Sequence, residues 1–295
     1  MDRAHPLLPF IATLVGVGVF SLMDALMKGA AIAVGAFSAL LLRSLVGWVI
    51  ATPPLWLTTR KVWPSRTAMR LHLLRGVVGS AMAFTFFWGI ARLPLAEAIA
   101  LSFTAPLVAL YLAAMLLGER IAKSAVGASL LGIAGVAVIA WARMGSETSH
   151  PEAAWGIAAI LASSMLYAWN LVLQRQQALV ARPAEVAAFQ NGVVTLVLAL
   201  FAPWFLNWPD ASAALEIAGA AVLAVSGAMV LSWAYRRAEA QALVPLEYTG
   251  FLWAGLFGWL FFREPLTLPT LLGAALIVVG CWIAAPRKRP EQSAA

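Results

Sequence analysis

One stretch of the chain occurs twice, and this recurrence constrains the fold more than any other feature. Residues 88–119 read WGIARLPLAEAIALSFTAPLVALYLAAMLLGE, and residues 233–264, 145 positions on, read WAYRRAEAQALVPLEYTGFLWAGLFGWLFFRE. Trp88 falls over Trp233, Arg92 over Arg237, Thr104 over Thr249 and Glu119 over Glu264. The register holds beyond each copy: Gly135 lies sixteen residues after Glu119, and Gly280 sixteen after Glu264. A fixed internal period signals a tandem duplication. The chain therefore divides into a first repeat over 1–142, a polar linker over 143–152 (RMGSETSHPE), and a second repeat over 153–295 that ends in a short tail.

The repeats are built for lipid. The chain is 62% hydrophobic and only 11% charged, with a mean hydropathy of +0.87, against roughly 25% charged residues in a soluble domain. A helix of about 20 apolar residues crosses a bilayer core of about 30 Å. Ten such runs can be counted, near 7–28, 34–56, 70–91, 94–117, 123–142, 153–175, 182–205, 212–235, 241–263 and 267–286. Open backbone hydrogen bonds are excluded from hydrocarbon, and uniformly apolar runs do not alternate as barrel strands do. The expected class is an all-α integral membrane protein.

Positive charge sets the expected orientation. With the N-terminus inside, fourteen of the 20 Lys and Arg fall on the inner side, and only Lys28, Arg92, Arg143 and Arg263 outside. The positive-inside rule then places both termini in the cytoplasm. Trp88, Trp141, Trp155, Trp204, Trp208 and Trp259 fall near outer ends, and Trp56, Trp63, Trp233 and Trp282 near inner ones, as interfacial belts require. Trp253, at mid-depth, is expected to pack or to face lipid. The net charge of +7 faces lipid headgroups rather than nucleic acid.

Several chemistries are excluded. Cys281 is the one cysteine, and His5, His72 and His150 are not spaced as ligands, so no metal site and no cofactor are expected. Lys123-Ser124 lacks the glycine of a phosphate-binding loop. No nucleophile elbow or paired catalytic carboxylates occur, so an enzyme is not expected. The run after His5-Pro6 reads as a retained helix rather than a cleaved signal.

Polar residues inside the runs mark the candidate site. Thr13, Val17, Ser21, Asp24 and Lys28 share one face of the first helix, and 146 residues on Ser163, Tyr167, Asn170 and Gln174 repeat the last four of these positions. Two matching stripes point to one polar cavity. Arg43 lies near mid-membrane, where a lone arginine costs about 2.5–3.5 kcal/mol, so it needs a partner; its counterpart in the seventh helix is Gln190 or Asn191. In the third helix Gly76, Gly79, Ser80 and Ala83 serve close packing, and Thr85 sits in an aromatic run that can line a cavity. Glu97, Thr104 and Tyr111 share a line on the fourth helix, which Pro106 should bend. Pro245 should bend the ninth beside Glu247, Tyr248 and Thr249, and interrupted helices at matching places in two halves point to a transport site. Arg75 and Glu247 lie at similar depths from the same side, about 7–9 Å in, and are expected to pair as an inner gate.

Five helices per repeat is an odd number, so the second repeat should be inverted relative to the first, giving two nearly equivalent packings open to opposite sides. Such a five-plus-five chain, carrying LLRSLVG (41–47), LLRGVVG (73–79), ALSFTAPLVALYLAAMLLGER (100–120) and FREPLTLPTLLGAALIVVG (262–280), resembles the drug/metabolite transporter superfamily and its ten-helix EamA-type carriers. The resemblance implies a secondary transporter of small metabolites, above all an exporter of amino acids across the bacterial inner membrane, with helices 1, 3, 4, 6, 8 and 9 around a central cavity. A carrier for riboflavin, a nucleotide-sugar or adenosylmethionine is the alternative, and a structural membrane protein without transport the remaining one. The expected partners are a small-molecule substrate and membrane lipid. Proton coupling stays open, as do monomer and homodimer.

Overall fold

The computed structural model describes residues 7–58, 64–117, 123–145, 152–235, 237, 243 and 246–284, and no strand occurs among them. Glu119, Pro245 and most of the linker lie outside the described residues. The helices are α1 (Leu8–Thr58), α2 (Arg66–Ile90), α3 (Leu95–Ser102), α4 (Ala105–Leu117), α5 (Lys123–Met144), α6 (Ala153–Ala178), α7 (Pro183–Ala199), α8 (Ala202–Phe205), α9 (Ala211–Tyr235), α10 (Gly250–Phe262) and α11 (Leu268–Ala284).

At 1.5 Å per residue an unbroken helix of 51 residues would be about 76 Å long, far beyond one bilayer crossing. The break is Gly35, with φ 84° and ψ 148°, a conformation open in practice only to glycine. Asp24 and Arg43 attract one another electrostatically, whereas 19 residues of straight helix would hold them about 28 Å apart. The chain therefore folds back at Gly35 into two arms. The runs expected at 7–28 and 34–56 leave 29–33 as the connection; instead helix runs through it and one residue, Gly35, makes the elbow. Asn207 secures it: its backbone N–H donates to Ser38 Oγ at 2.9 Å and its side chain to Val34 O at 3.4 Å.

Proline and glycine shape the other spans. The fourth breaks as Pro106 requires, since its ring conflicts with the carbonyl four residues back, at Ser102, where α3 ends. The seventh is also interrupted, between α7 and the short α8. Among the described residues, four helical stretches are long and apolar enough to cross a membrane, Leu8–Pro53, Arg66–Ile90, Ala153–Gln174 and Ala211–Tyr235, and five shorter apolar ones accompany them.

Small residues set the helix contacts. The arm before Gly35 lies on α9, where a Cβ on Gly16 would meet Leu231 at 2.6 Å, and the arm after it lies on α7, where Gly47 abuts Asn191 at 2.7 Å. Helix α2 packs on α6 and α7, with Gly76 against Val193 and Gly89 against Ile160. Helices α5 and α11 meet where Gly135 and Gly273 each face the other's carbonyl, at 2.5 and 2.8 Å from a would-be Cβ. The core between these contacts holds Met27, Leu40, Ile90, Leu101, Ile160 and Ile277, all sealed from solvent. Outward-facing Trp141, Trp155, Trp204, Trp208 and Trp282 are each at least 70% exposed, a surface suited to an interfacial belt. Trp253 packs on Gly18 and stacks on Phe257 with ring centres 5.9 Å apart.

Candidate functional site

The two interrupted spans meet in the interior. Phe103 and Tyr248, which the 145-residue period places over one another, pack edge to face with ring centres 5.2 Å apart. The chain turns alike at both breaks. Thr104 N–H donates to Leu101 O at 3.1 Å and Thr249 N–H to Leu246 O at 3.0 Å; each threonine hydroxyl takes the same carbonyl, at 2.8 and 2.6 Å. Arg92 and Arg237 repeat one another too, each lying on the Trp four residues back, Trp88 or Trp233. The duplication is thus carried down to individual hydrogen bonds.

Several of the residues singled out by sequence interact with one another or with these breaks. Asp24 and Arg43, both half-buried, attract one another electrostatically without closing to an ion pair, and the guanidinium also lies 5.8 Å from the centre of the Phe87 ring. Ser21 Oγ reaches Gly250 O at 3.5 Å, tying the first stripe to the second break. Tyr167, 42% exposed, interacts electrostatically with both Arg75 and Glu247. Asn170 is buried and accepts from Arg75 Nε at 3.1 Å. Two candidates turn elsewhere: Thr85 Oγ1 bonds back to Ala81 O at 2.8 Å, and Asn191 donates to Ala187 O at 2.9 Å in the seam with α1.

The expected direct pair between Arg75 and Glu247 is not formed. The Glu247 carboxylate takes the hydroxyl of Tyr235. Arg75 instead opens a chain of buried side chains: its Nη1 donates to Gln177 Oε1 at 2.5 Å, Gln177 Nε2 lies 2.5 Å from His72 Nδ1, and His72 Nε2 lies 2.8 Å from Glu185 Oε1. His72 is fully buried and stacks on Phe189, ring centres 4.6 Å apart. Amides within reach on α6 satisfied the arginine without a second charge.

A different cluster lies about two turns before the elbow, around Lys28. Lys28, expected on the cavity stripe, donates to Leu93 O at 2.5 Å and to the Glu264 carboxylate. Glu264 Oε2 accepts Leu95 N–H at 2.7 Å, occupying the first turn of α3, where an anion suits the helix dipole. Glu97 accepts from the Thr270 hydroxyl at 3.1 Å and stands 3.8 Å from Arg143 Nε. Arg92 pairs with Glu152 at 2.5 Å. Lys28, Glu97 and Thr270 are each at most 5% exposed. Sequence reading missed Glu264 and His72 as network members. Glu264 carried a signal, its register over Glu119, while His72 carried none, because its partners come from α6 and α7.

The chain is similar to several known transporters over most of its length. The pseudopaline exporter CntI of Pseudomonas aeruginosa is 28% identical over 270 residues, 89% of this chain and 90% of that protein. An uncharacterized transporter of Helicobacter pylori is 30% identical over 222 residues, 72% of each chain, and an S-adenosylmethionine uptake transporter of Rickettsia bellii is 24% identical over 70% of this chain and 69% of its own length. A solved crystal structure superposes with a TM-score of 0.61 at 25% identity, covering 92% of this chain and 96% of that one. The EamA-like transporter family matches twice, over residues 7–141 and 154–285. A multi-pass membrane protein with two family matches end to end, this chain belongs to the EamA-like transporters of the drug/metabolite transporter superfamily.

Proposed function

We propose that the chain exports amino acids or similar small metabolites across the bacterial inner membrane by alternating access of two inverted five-helix halves, 1–142 and 153–295. The observation that supports this reading is the contact of Arg75, from one half, with Asn170 and Tyr167 from the other, Tyr167 also facing the charge of Glu247, while Asp24 and Arg43 attract one another within the first half. A zwitterion offers each sign of charge a partner there, and the rings of Phe103 and Tyr248 offer apolar contact.

The packing supports exchange of the halves. The pair formed by the first arm of α1 with α9 has its counterpart in α6 with α2; the pair formed by that arm with α10 has its counterpart in α6 with α4. The second arm with α7, and α5 with α11, are each their own counterparts. Two arrangements related by such an exchange differ little in energy, which is what alternating access needs. The name of the Pseudomonas relative supports export, and it matches over more of this chain than the Rickettsia uptake transporter, whose name favours adenosylmethionine entering as the alternative.

Flux of labelled amino acids and of S-adenosylmethionine from liposomes carrying the protein tests the reading. Amino-acid flux that falls at least tenfold in Asp24→Asn supports it. Flux of neither class sinks it.

A further inference from the structure

The buried chain that begins at Arg75 has two unlike ends. Arg75 is served by two neutral amides, Asn170 Oδ1 at 3.1 Å and Gln177 Oε1 at 2.5 Å, and among the described residues no carboxylate stands within ion-pairing distance of it. A buried cation gains most from a charged acceptor. The far end has the carboxylate instead: His72 Nε2 lies 2.8 Å from Glu185 Oε1, and the ring is sealed from solvent and stacked on Phe189. Gln177 joins the two ends, and rotating its amide exchanges acceptor for donor at both.

Arg75 can accept nothing, so Gln177 shows it the oxygen and shows His72 the NH₂, which donates to Nδ1 at 2.5 Å. That arrangement requires Nδ1 to be without a proton. Imidazole takes up a proton within the physiological range, and a second proton on this ring finds its counter-charge in place at Glu185, whose side chain is 13% exposed and so within reach of water. The groups facing His72 are Glu185 and Phe189 from α7, Gln177 from α6 and, beyond Gln177, Arg75 on its own helix. Arg70 on α2 and Arg182 ahead of α7 are exposed, and the second arm of α1 carries no charged residue after Arg43.

We propose that His72 binds a proton at Nδ1, and that this frees Arg75 for a carboxylate in the cavity. One N–H bond forms with a proton from water, the ring becomes an imidazolium paired with Glu185, and nothing is oxidised or reduced. Nδ1–H now requires an acceptor, so the Gln177 amide turns its oxygen to His72 and its NH₂ towards Arg75. Two donors then face one another, and Arg75 Nη1 leaves. Asn170 still holds Nε, and the direction open to the freed nitrogen is that of Tyr167, which lies in the field of both Arg75 and Glu247. The carboxylate it takes there is that of Glu247 or of a bound substrate. The part of a substrate rests on the transport reading above; the link from His72 to Arg75 does not.

The test uses full-length protein, with nitrogen-15 in histidine and arginine, in liposomes of phosphatidylcholine and phosphatidylglycerol. The His72 signals are assigned by their loss in His72→Phe, which keeps the stack on Phe189, and those of Arg75 by their loss in Arg75→Lys. From alkaline to acidic buffer, His72 Nδ1 should change from an acceptor to a protonated nitrogen, and the Arg75 Nη signals should shift over the same pH range. His72→Phe should leave Arg75 unresponsive to pH. Glu185→Gln keeps an acceptor for Nε2–H but removes the counter-charge, so both transitions should move together to more acidic pH, a check that holds even where His72→Phe does not fold. The source of the carboxylate is read in acid. Sodium formate that moves the wild-type Arg75 signals further than sodium chloride of equal ionic strength marks a site open to a substrate acid, and a response to acid that disappears in Glu247→Gln marks Glu247 as the acceptor; either result supports the proposal. An Nδ1 that stays unprotonated in acid, Arg75 signals that do not follow His72, or Arg75 signals indifferent both to formate and to Glu247→Gln overturn it. Absence of metabolite flux would sink the exporter reading while leaving the two linked titrations in place.

Discussion

Arg75 can only donate hydrogen bonds, and that fixes every other proton in its chain. Gln177 must present its oxygen to Arg75, hence its NH₂ to His72 Nδ1; Nδ1 must then accept, which leaves the proton on Nε2 to be donated to Glu185. Nitrogen-15 spectra of the histidines in alkaline buffer should accordingly show the Nε2–H tautomer for His72, and a protonated Nδ1 there would contradict the order of donors. Replacing Gln177 by Leu strands a charged donor and a buried ring nitrogen together, so it should cost about 2–3 kcal/mol in a denaturant titration in detergent. Asp210, ahead of α9, behaves differently because it is solvent-exposed. Its carboxylate accepts Ala213 N–H at 2.8 Å and the Ser212 hydroxyl at 3.0 Å, and these bonds hold it below the ordinary aspartate range. A depressed carboxyl contributes stability above its unfolded pKa, lost as pH falls through the folded one. Asp210→Asn keeps the cap but should flatten the acid side of thermal midpoint against pH, leaving Asp210→Ala the less stable of the two. Sequence pointed to Asp24, Tyr167 and Asn170 because each interrupts an apolar run; it did not point to His72 or Gln177, whose roles exist only once α2, α6 and α7 are packed.

At the scale of helices, two glycines act for opposite reasons. Gly35 has nothing within 4 Å of a would-be Cβ but a backbone at φ 84°, so Gly35→Ala strains the chain without a clash. Gly135 has helical backbone but a carbonyl at 2.5 Å, so Gly135→Ala clashes without backbone strain. Both should lower stability by about 1–3 kcal/mol. Only Gly135→Ala should also change how α5 and α11 pack, which cross-linking of cysteines at nearby facing positions would report. The period and the proline breaks made the spans legible in outline. The elbow was not, since residues 29–34 are as apolar as their flanks, and a turn completed by one residue leaves no polar segment to find.

For the molecule as a whole, orientation carries the most weight, because the sense in which one end is outer depends on it. The four cations assigned by sequence to the outside meet acids or rings: Lys28 with Glu264, Arg92 with Glu152 and Trp88, Arg143 with Glu97, and Arg263 with Trp259. A phosphatase reporter fused after Ala295 should be silent and a fluorescent protein there bright; the reverse would turn the proposed exporter over. The elbow at Gly35 also bears on how the chain enters the membrane. Asp24 lies eleven residues before it and Arg43 eight after, depths of about 16 and 12 Å on adjoining arms. With no loop between them, the arms are expected to enter the membrane as one hairpin, so that Arg43 meets the attraction of the Asp24 carboxylate as it leaves water. The bend thus bears on how the chain reaches its membrane as well as on what it carries.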